Sequence, residues 1–307
     1  MAIEIKKLKV KSSDGIHDLA GVLCIPEGEV KGLYHIVHGM TEHIGRYDRI
    51  MRDLAEKGYL CFGYDNLGHG YTARDKSELG YIAKKKGWDL LARDVKVFSD
   101  TVRNEYGKEM PYYLMGHSMG SFIVRLSAEK YVKPDKLIIM GTGGPNPAAG
   151  AGLAVISITK LFKGDHYISK LIDKLAFGSY NNKFTEGENV KGSWLTTDME
   201  IRKKYWADDF CTFKFTVSAM GDLIRLMKYS NRGAWFKNIP STLPILIVSG
   251  EEDPVGNYGK GIILVFEKLQ KNGKNARHIL YKGARHEILN DFTYDAVKGD
   301  IMKFIEE

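Results

Sequence analysis

From residue 3 to residue 141, short apolar runs alternate with longer segments in which apolar residues return at helical spacing. The short runs at 3–10, 21–26, 33–38, 59–64, 112–117 and 136–141 have the length and the bounding turn residues of strands. Tyr47, Ile50, Met51 and Leu54 predict a helix over 46–57, and Leu90, Leu91, Val95, Phe98 and Val102 predict one over 87–106. A third helix starts after residue 118 and runs to about Tyr131. Strands separated by amphipathic helices imply an α/β fold, a mostly parallel sheet flanked by helices.

The rhythm breaks after Gly141-Thr142-Gly143-Gly144-Pro145. From 146 to 236 the chain reads as helices and aromatic loops. Its apolar stripes are Leu153, Ile156, Leu161; then Ile168, Leu171, Ile172, Leu175; then Met220, Leu223, Ile224, Met227. The aromatic stretch Phe210-Cys211-Thr212-Phe213-Lys214-Phe215 lies between the second and third stripes. Alternation resumes with strands at 244–249 and 276–281 and helices at 257–272 and 293–306. The expected organisation is therefore a core in two parts, 1–145 and 237–307, interrupted by a mainly helical cap insertion, 146–236. At 307 residues the chain can bury one large core and still carry such an insertion.

Composition narrows the function classes. With 44% hydrophobic and 27% charged residues, the chain is that of an ordinary globular protein. The net charge of +7 comes from lysines spread along the sequence, and no base-reading module accompanies them, so no nucleic-acid partner is expected. A solvated lysine-rich surface explains the charge, with weak contact to membrane surfaces as the lesser alternative. The N-terminal residues lack an apolar signal core and no segment approaches eighteen apolar residues, so a cytoplasmic location is expected. Cys24, Cys61 and Cys211 are odd in number and widely spaced, which suggests neither disulfides nor a zinc site. The first two fall inside strand-like runs, as packed thiols do. The histidines show no i, i+4 pair with a third ligand, so neither a metal nor a cofactor is expected.

The candidate chemistry centres on Gly116-His117-Ser118-Met119-Gly120, a GxSxG sequence lodged between a strand and a helix. That setting makes it a nucleophile elbow, a strained turn that exposes the serine and needs small residues on either side. A serine hydroxyl requires a base to take its proton and an acid to orient that base. On sheets of this kind the chain order is Ser, then Asp or Glu, then His. Asp253 ends a strand-like run just before Pro254, and His286 follows the last strand. Glu251 and Glu252 are rivals for the acid. His278 rivals His286 but lies within a strand, and His117 is expected to point away from the nucleophile. An oxyanion needs two backbone N–H donors. The amide of Met119 is one, and the sharp His38-Gly39-Met40 turn offers the amide of Met40 as the other.

With these elements in order, the chain resembles the α/β-hydrolase superfamily, and within it the monoacylglycerol lipase and lysophospholipase branch of serine-aminopeptidase-like hydrolases. The resemblance is carried by His38-Gly39-Met40-Thr41-Glu42-His43 with Arg46-Tyr47, by Asp65-Asn66-Leu67-Gly68-His69-Gly70, by the elbow, by Gly250 to Gly256 and by Arg285-His286-Glu287. The chain departs from it at Thr72, where relatives often have serine, and at Ser121, where they often have a second glycine. The resemblance implies Ser118 as nucleophile, Asp253 and His286 as its partners, and Met40 and Met119 as the oxyanion hole. It also implies hydrolysis of carboxylic esters through an acyl-enzyme, on monoacylglycerols, lysophospholipids or related single-chain esters. An aminopeptidase or amidase on the same scaffold is the alternative, with Glu186, Glu188, Asp198, Glu200, Asp208, Asp209 and Asp222 available to hold an amine. A catalytically silent binding protein would be expected to lack one of the catalytic residues. Acyl chain, leaving group and oligomeric state stay open.

Overall fold

The computed structural model describes residues 3–184 and 191–307. Among these, β1 (Ile3–Lys11), β2 (Asp18–Pro26), β3 (Gly32–Val37), β4 (Tyr59–Tyr64), β5 (Tyr112–His117), β6 (Lys136–Met140), β7 (Ile245–Gly250) and β8 (Ala276–Tyr281) build one sheet in the order β1-β2-β4-β3-β5-β6-β7-β8. β1 with β2 and β2 with β4 are antiparallel, and every pairing from β4–β3 to β7–β8 is parallel. The helices are α1 (Asp48–Ala55), α2 (Gly87–Tyr106), α3 (Met119–Lys130), α4 (Ala149–Lys163), α5 (Lys170–Phe177), α6 (Met199–Ala207), α7 (Val217–Ser230), α8 (Gly233–Asn238), α9 (Lys260–Lys271) and α10 (Tyr294–Glu306). Among the described residues no helix is long and apolar enough to cross a membrane.

β3, β4, β5 and β7 are buried at every position, because helices cover both faces of the sheet. Strand periodicity then sorts the side chains of these strands and of β6. Leu33, Val37, Leu114, Ile139 and Ile247 pack with Val95, Ile123 and Val265 of α2, α3 and α9. Tyr34, Ile36, Met115, Ile138 and Val248 pack with Ile50, Leu54, Val297 and Ile301 of α1 and α10. Cys24 and Cys61, partners across β2 and β4, are free buried thiols, and burial pushes Cys24 up to about 11. The edge strand β1 carries Lys6, Lys7, Lys9 and Lys11, charges that discourage pairing with another chain.

Two predicted helices are shorter than their apolar spacing suggests. The segment 46–57 divides into a tight 3-10 turn, Ile44–Tyr47, and α1. The segment 257–272 starts its helix only at Lys260, because Asn257, Tyr258 and Gly259 all have left-handed backbone, with φ of 50°, 54° and 81°. β6 and β7 are neighbours in the sheet, yet the chain between them holds α4 to α8 and, among its described residues, no strand. In that stretch α7 packs on α3 and α4.

Parallel strands direct their carboxyl ends the same way. The turns after β3, β5, β7 and β8 therefore gather along one rim, and β3 lies where the chain order turns from β4 on one side to β5 on the other. Such a crossing leaves a crevice outside the strand ends, the common location of a binding site in open α/β sheets.

Candidate active site

β5 runs without a break into α3 through Ser118, whose φ of 55° and ψ of −120° are strained for any residue with a side chain. Neighbouring glycines let the turn close. A Cβ on Gly116 would stand 2.3 Å from the Gly120 carbonyl oxygen, and one on Gly120 would stand 2.1 Å from that of Val37. The Ser118 N–H donates to the Met140 carbonyl at 3.0 Å, and its own carbonyl accepts from the Ser121 hydroxyl at 2.6 Å. The hydroxyl of Ser121 thus ties the first turn of α3 back to the elbow.

Asp253 is fully buried beyond β7, and its Oδ2 accepts from His286 Nδ1 at 2.9 Å. The Ser249 hydroxyl at 3.1 Å and the Val255 N–H at 2.8 Å hold the same carboxylate. A carboxylate only accepts, so the His286 proton sits on Nδ1 and leaves Nε2 free to take another. The rival acids go elsewhere. Glu251 and Glu252 are exposed, their N–H groups donating to Tyr281 and Ala284, while His278 packs on the Phe266 ring at 4.4 Å. Ser118 and His286 line the same cavity, and among the described residues the Ser118 hydroxyl has no hydrogen-bond partner.

The turn after β3 is held from inside. Burial pushes His38 down to about 3, consistent with a neutral ring that donates from Nδ1 to the Gly39 carbonyl and accepts the Asn66 N–H at Nε2. Glu42 Oε1 accepts from the Gly39 N–H at 2.5 Å and the Tyr47 hydroxyl at 2.9 Å. The amides of Met40 and Met119 have no acceptor among the described residues, and both residues line the cavity. Met119 opens α3, so its N–H has no intrahelical partner. Thr41 has a φ of 52°, and its carbonyl accepts from the Tyr205 hydroxyl of α6 at 3.0 Å.

Four groups that motif matching leaves without a role form one buried charge network. His117, expected to point away from the nucleophile, makes no hydrogen bond to Ser118 among the described residues, yet it joins the site through His286. Its ring lies 4.7 Å from that of His286, its Nε2 donates to the His286 carbonyl at 3.2 Å, and its Nδ1 meets Glu42 at 3.2 Å. Arg46 binds both Glu287 oxygens at 2.6 Å and reaches Glu42 at 3.1 Å. Burial alone would raise the Glu42 carboxyl, but the bond to His117 and the charges of His117 and Arg46 outweigh it and hold it well below the carboxylate range. Burial likewise lowers His117, and the Glu42 bond and charge overcome that and raise it. A buried pair is satisfied only by partners this close.

The cavity has a volume of about 1440 Å³. Beyond the residues above, its walls are mainly Ile156, Ile172, Leu175, Met220, Ile224 and Met227, from the inner faces of α4, α5 and α7. Among the described acidic residues considered for amine binding, none lines it. Asp198 caps α6, Glu200 pairs with Lys203, Asp208 with His43 and Asp209 with Lys76, while Asp222 accepts backbone N–H groups of Trp88 and Gly87. Glu186 and Glu188 lie outside the described residues.

Residues 28–293 match the model of the Hydrolase_4 family, described as serine aminopeptidase, S33. The chain is similar to a monoacylglycerol lipase of Mycolicibacterium smegmatis, 24% identical over 96% of this chain and 98% of that protein. It is 26% identical to the monoglyceride lipase of Rattus norvegicus over 85% of this chain and 77% of that one. Among solved structures, a carboxyl esterase from Bacillus coagulans in complex with glycerol superposes with a TM-score of 0.92 at 27% identity, covering 99% of both chains.

Proposed function

The chain belongs to the Hydrolase_4 (serine aminopeptidase, S33) family and has its α/β-hydrolase fold, and on that premise we propose that it is a carboxylic-ester hydrolase working through a serine acyl-enzyme. The observation that carries this reading is the Asp253–His286 hydrogen bond of 2.9 Å, with His286 lining the same apolar-walled cavity as a strained Ser118 whose hydroxyl has no partner among the described residues. His286 Nε2 takes the Ser118 proton as the hydroxyl attacks the ester carbonyl. Asp253 holds the tautomer and stabilises the imidazolium that forms. The amides of Met40 and Met119 receive the oxyanion, and His286 returns the proton to the departing alcohol. Water, activated by the same histidine, then releases the acid.

Residues 146–236 act as the cap over this site. Its inner stripes suit a single acyl chain, which favours monoacylglycerols, lysophospholipids or related single-chain esters as substrates. The names of the relatives above support the same class. On its outer side Leu161, Phe162 and Leu171 are each more than 60% exposed, with Lys160, Lys163, Lys170 and Lys174 near them in sequence. An apolar patch fringed by lysines suits weak contact with an anionic lipid surface, from which such substrates would enter.

A fluorophosphonate probe tests the mechanism. The parent should be labelled, and Ser118→Ala should lose labelling and about a million-fold in kcat while remaining folded. Ester hydrolysis by Ser118→Ala near the parent rate would refute the mechanism. Faster turnover of aminoacyl amides than of acyl esters would replace the ester reading with the peptidase one.

A further inference from the structure

We infer that His43, Asp208 and Cys211 form a binding site for one zinc-class divalent cation, joining the turn after β3 to the chain that follows α6. A ring nitrogen of His43, a carboxylate oxygen of Asp208 and Cys211 Sγ all lie within 4.8 Å of one another. His43 Nε2 and Asp208 Oδ2 are already 2.9 Å apart. Zinc bonds of about 2.0–2.3 Å in a tetrahedron place ligand atoms roughly 3.3–3.7 Å apart, so side-chain shifts on the order of an ångström would close the site. One imidazole, one carboxylate and one thiolate are a borderline-soft set. They favour Zn²⁺ or Co²⁺ and disfavour Mg²⁺ and Ca²⁺, which prefer all-oxygen surroundings.

The surroundings hold these groups in place. The Phe210 N–H donates to Asp208 Oδ1 at 2.8 Å, which leaves Oδ2 for His43. The Cys211 N–H donates to the Asp208 carbonyl at 3.0 Å and brings the thiol back over the same turn. The Phe210 ring meets that of His43 edge-on at 6.0 Å. Cys211 is buried but also lines the large cavity, from which a water can supply the fourth ligand. The spacing of ligands in the sequence hides the site, since residues 43 and 208 are 165 positions apart.

A metal takes the Cys211 sulfur as the thiolate. Binding therefore breaks the S–H bond, forms a metal–sulfur bond and releases one proton to the buffer. Affinity should rise with pH for that reason. Because Cys211, Thr212 and Phe213 line the cavity, a bound cation would fix one of its walls.

The test is titration of chelator-treated protein with Co²⁺ alone, which reads binding whether or not the ester-hydrolase reading holds. One equivalent should produce a thiolate-to-cobalt charge-transfer band, release one proton, and be displaced by Zn²⁺ but not by Mg²⁺. Cys211→Ser should lose the band. His43→Gln and Asp208→Asn, with circular dichroism confirming the fold, should each weaken Zn²⁺ binding by more than about a hundredfold, beyond the usual effect of losing an outer-shell partner. The inference is overturned if one equivalent gives no charge-transfer band, or if the band survives in Cys211→Ser. Unchanged Zn²⁺ affinity in folded His43→Gln or Asp208→Asn overturns it as well. Should Cys211→Ser fail to fold, those two variants decide.

Discussion

Replacing Glu42 with Gln probes the buried network beneath the site with almost no change of shape. A glutamine can keep the oxygen that accepts from the Gly39 N–H and the Tyr47 hydroxyl. It removes the negative charge and sets an amide donor where Oε2 faces Arg46 at 3.1 Å. Removing one partner of a buried ion pair costs about 3–5 kcal/mol. The lower end applies here because Arg46 retains its two bonds to Glu287. At about 2.1 cal/mol/K of unfolding entropy per residue, a loss of about 3 kcal/mol in a chain of 307 residues lowers Tm by about 5 °C.

The pH dependence supplies the sharper check. The Glu42 carboxyl is lowered from 4.5, so the stability it contributes is present above that value and is lost as pH falls through its depressed folded value. His117 is raised from 6.5, so its contribution is complete below that value and is lost as pH rises through the raised folded value. The gap between parent and variant should therefore be widest between pH 4.5 and 6.5, and should narrow on the alkaline side by no more than about 1.4 kcal/mol per pH unit. Urea unfolding followed by tryptophan fluorescence at pH 5.5, 7 and 9 measures it. A gap that stays constant, or widens toward pH 9, refutes the coupling of Glu42 with a protonated His117.

Met40→Ala should retain most ester turnover, because only the backbone amide is used, whereas Met40→Pro deletes that N–H and should lower kcat by about a hundred- to a thousand-fold. Equal rates in the two folded variants would remove Met40 from the oxyanion hole. Along a series of acyl esters from acetyl to palmitoyl, each buried methylene is worth about 0.8 kcal/mol, so two carbons should raise kcat/KM by roughly fifteen-fold until the cavity is full. A flat profile would exclude an acyl-binding cap.

Much of this molecule could be read from local pattern. The burial of β3, β4, β5 and β7 on both faces is written as continuous apolar runs, and the limits of α2 follow from its stripe. The elbow was legible because a strand, a strained turn and a helix must follow one another directly in the chain, with Gly116 and Gly120 where no Cβ fits. Chain order also placed Asp253 and His286 beyond consecutive parallel strands, and such strands carry their carboxyl ends to one rim.

What depended on approach between distant segments could not be read this way. Helix starts shifted where Asn257 and Tyr258 take left-handed backbone, a conformation that apolar spacing does not encode. His117 belongs to the site's support because its ring meets His286, 169 positions away, and Arg46 finds Glu287 across 241. The clustering of His43 with Asp208 and Cys211 arises in the same manner. Periodicity reports which face of an element avoids water, since burial is governed by the local alternation of apolar and polar groups. Which buried charge meets which is decided only when the sheet order and the path from β6 to β7 bring them together, because an ion pair inside the protein needs contact distances that no spacing along the chain specifies.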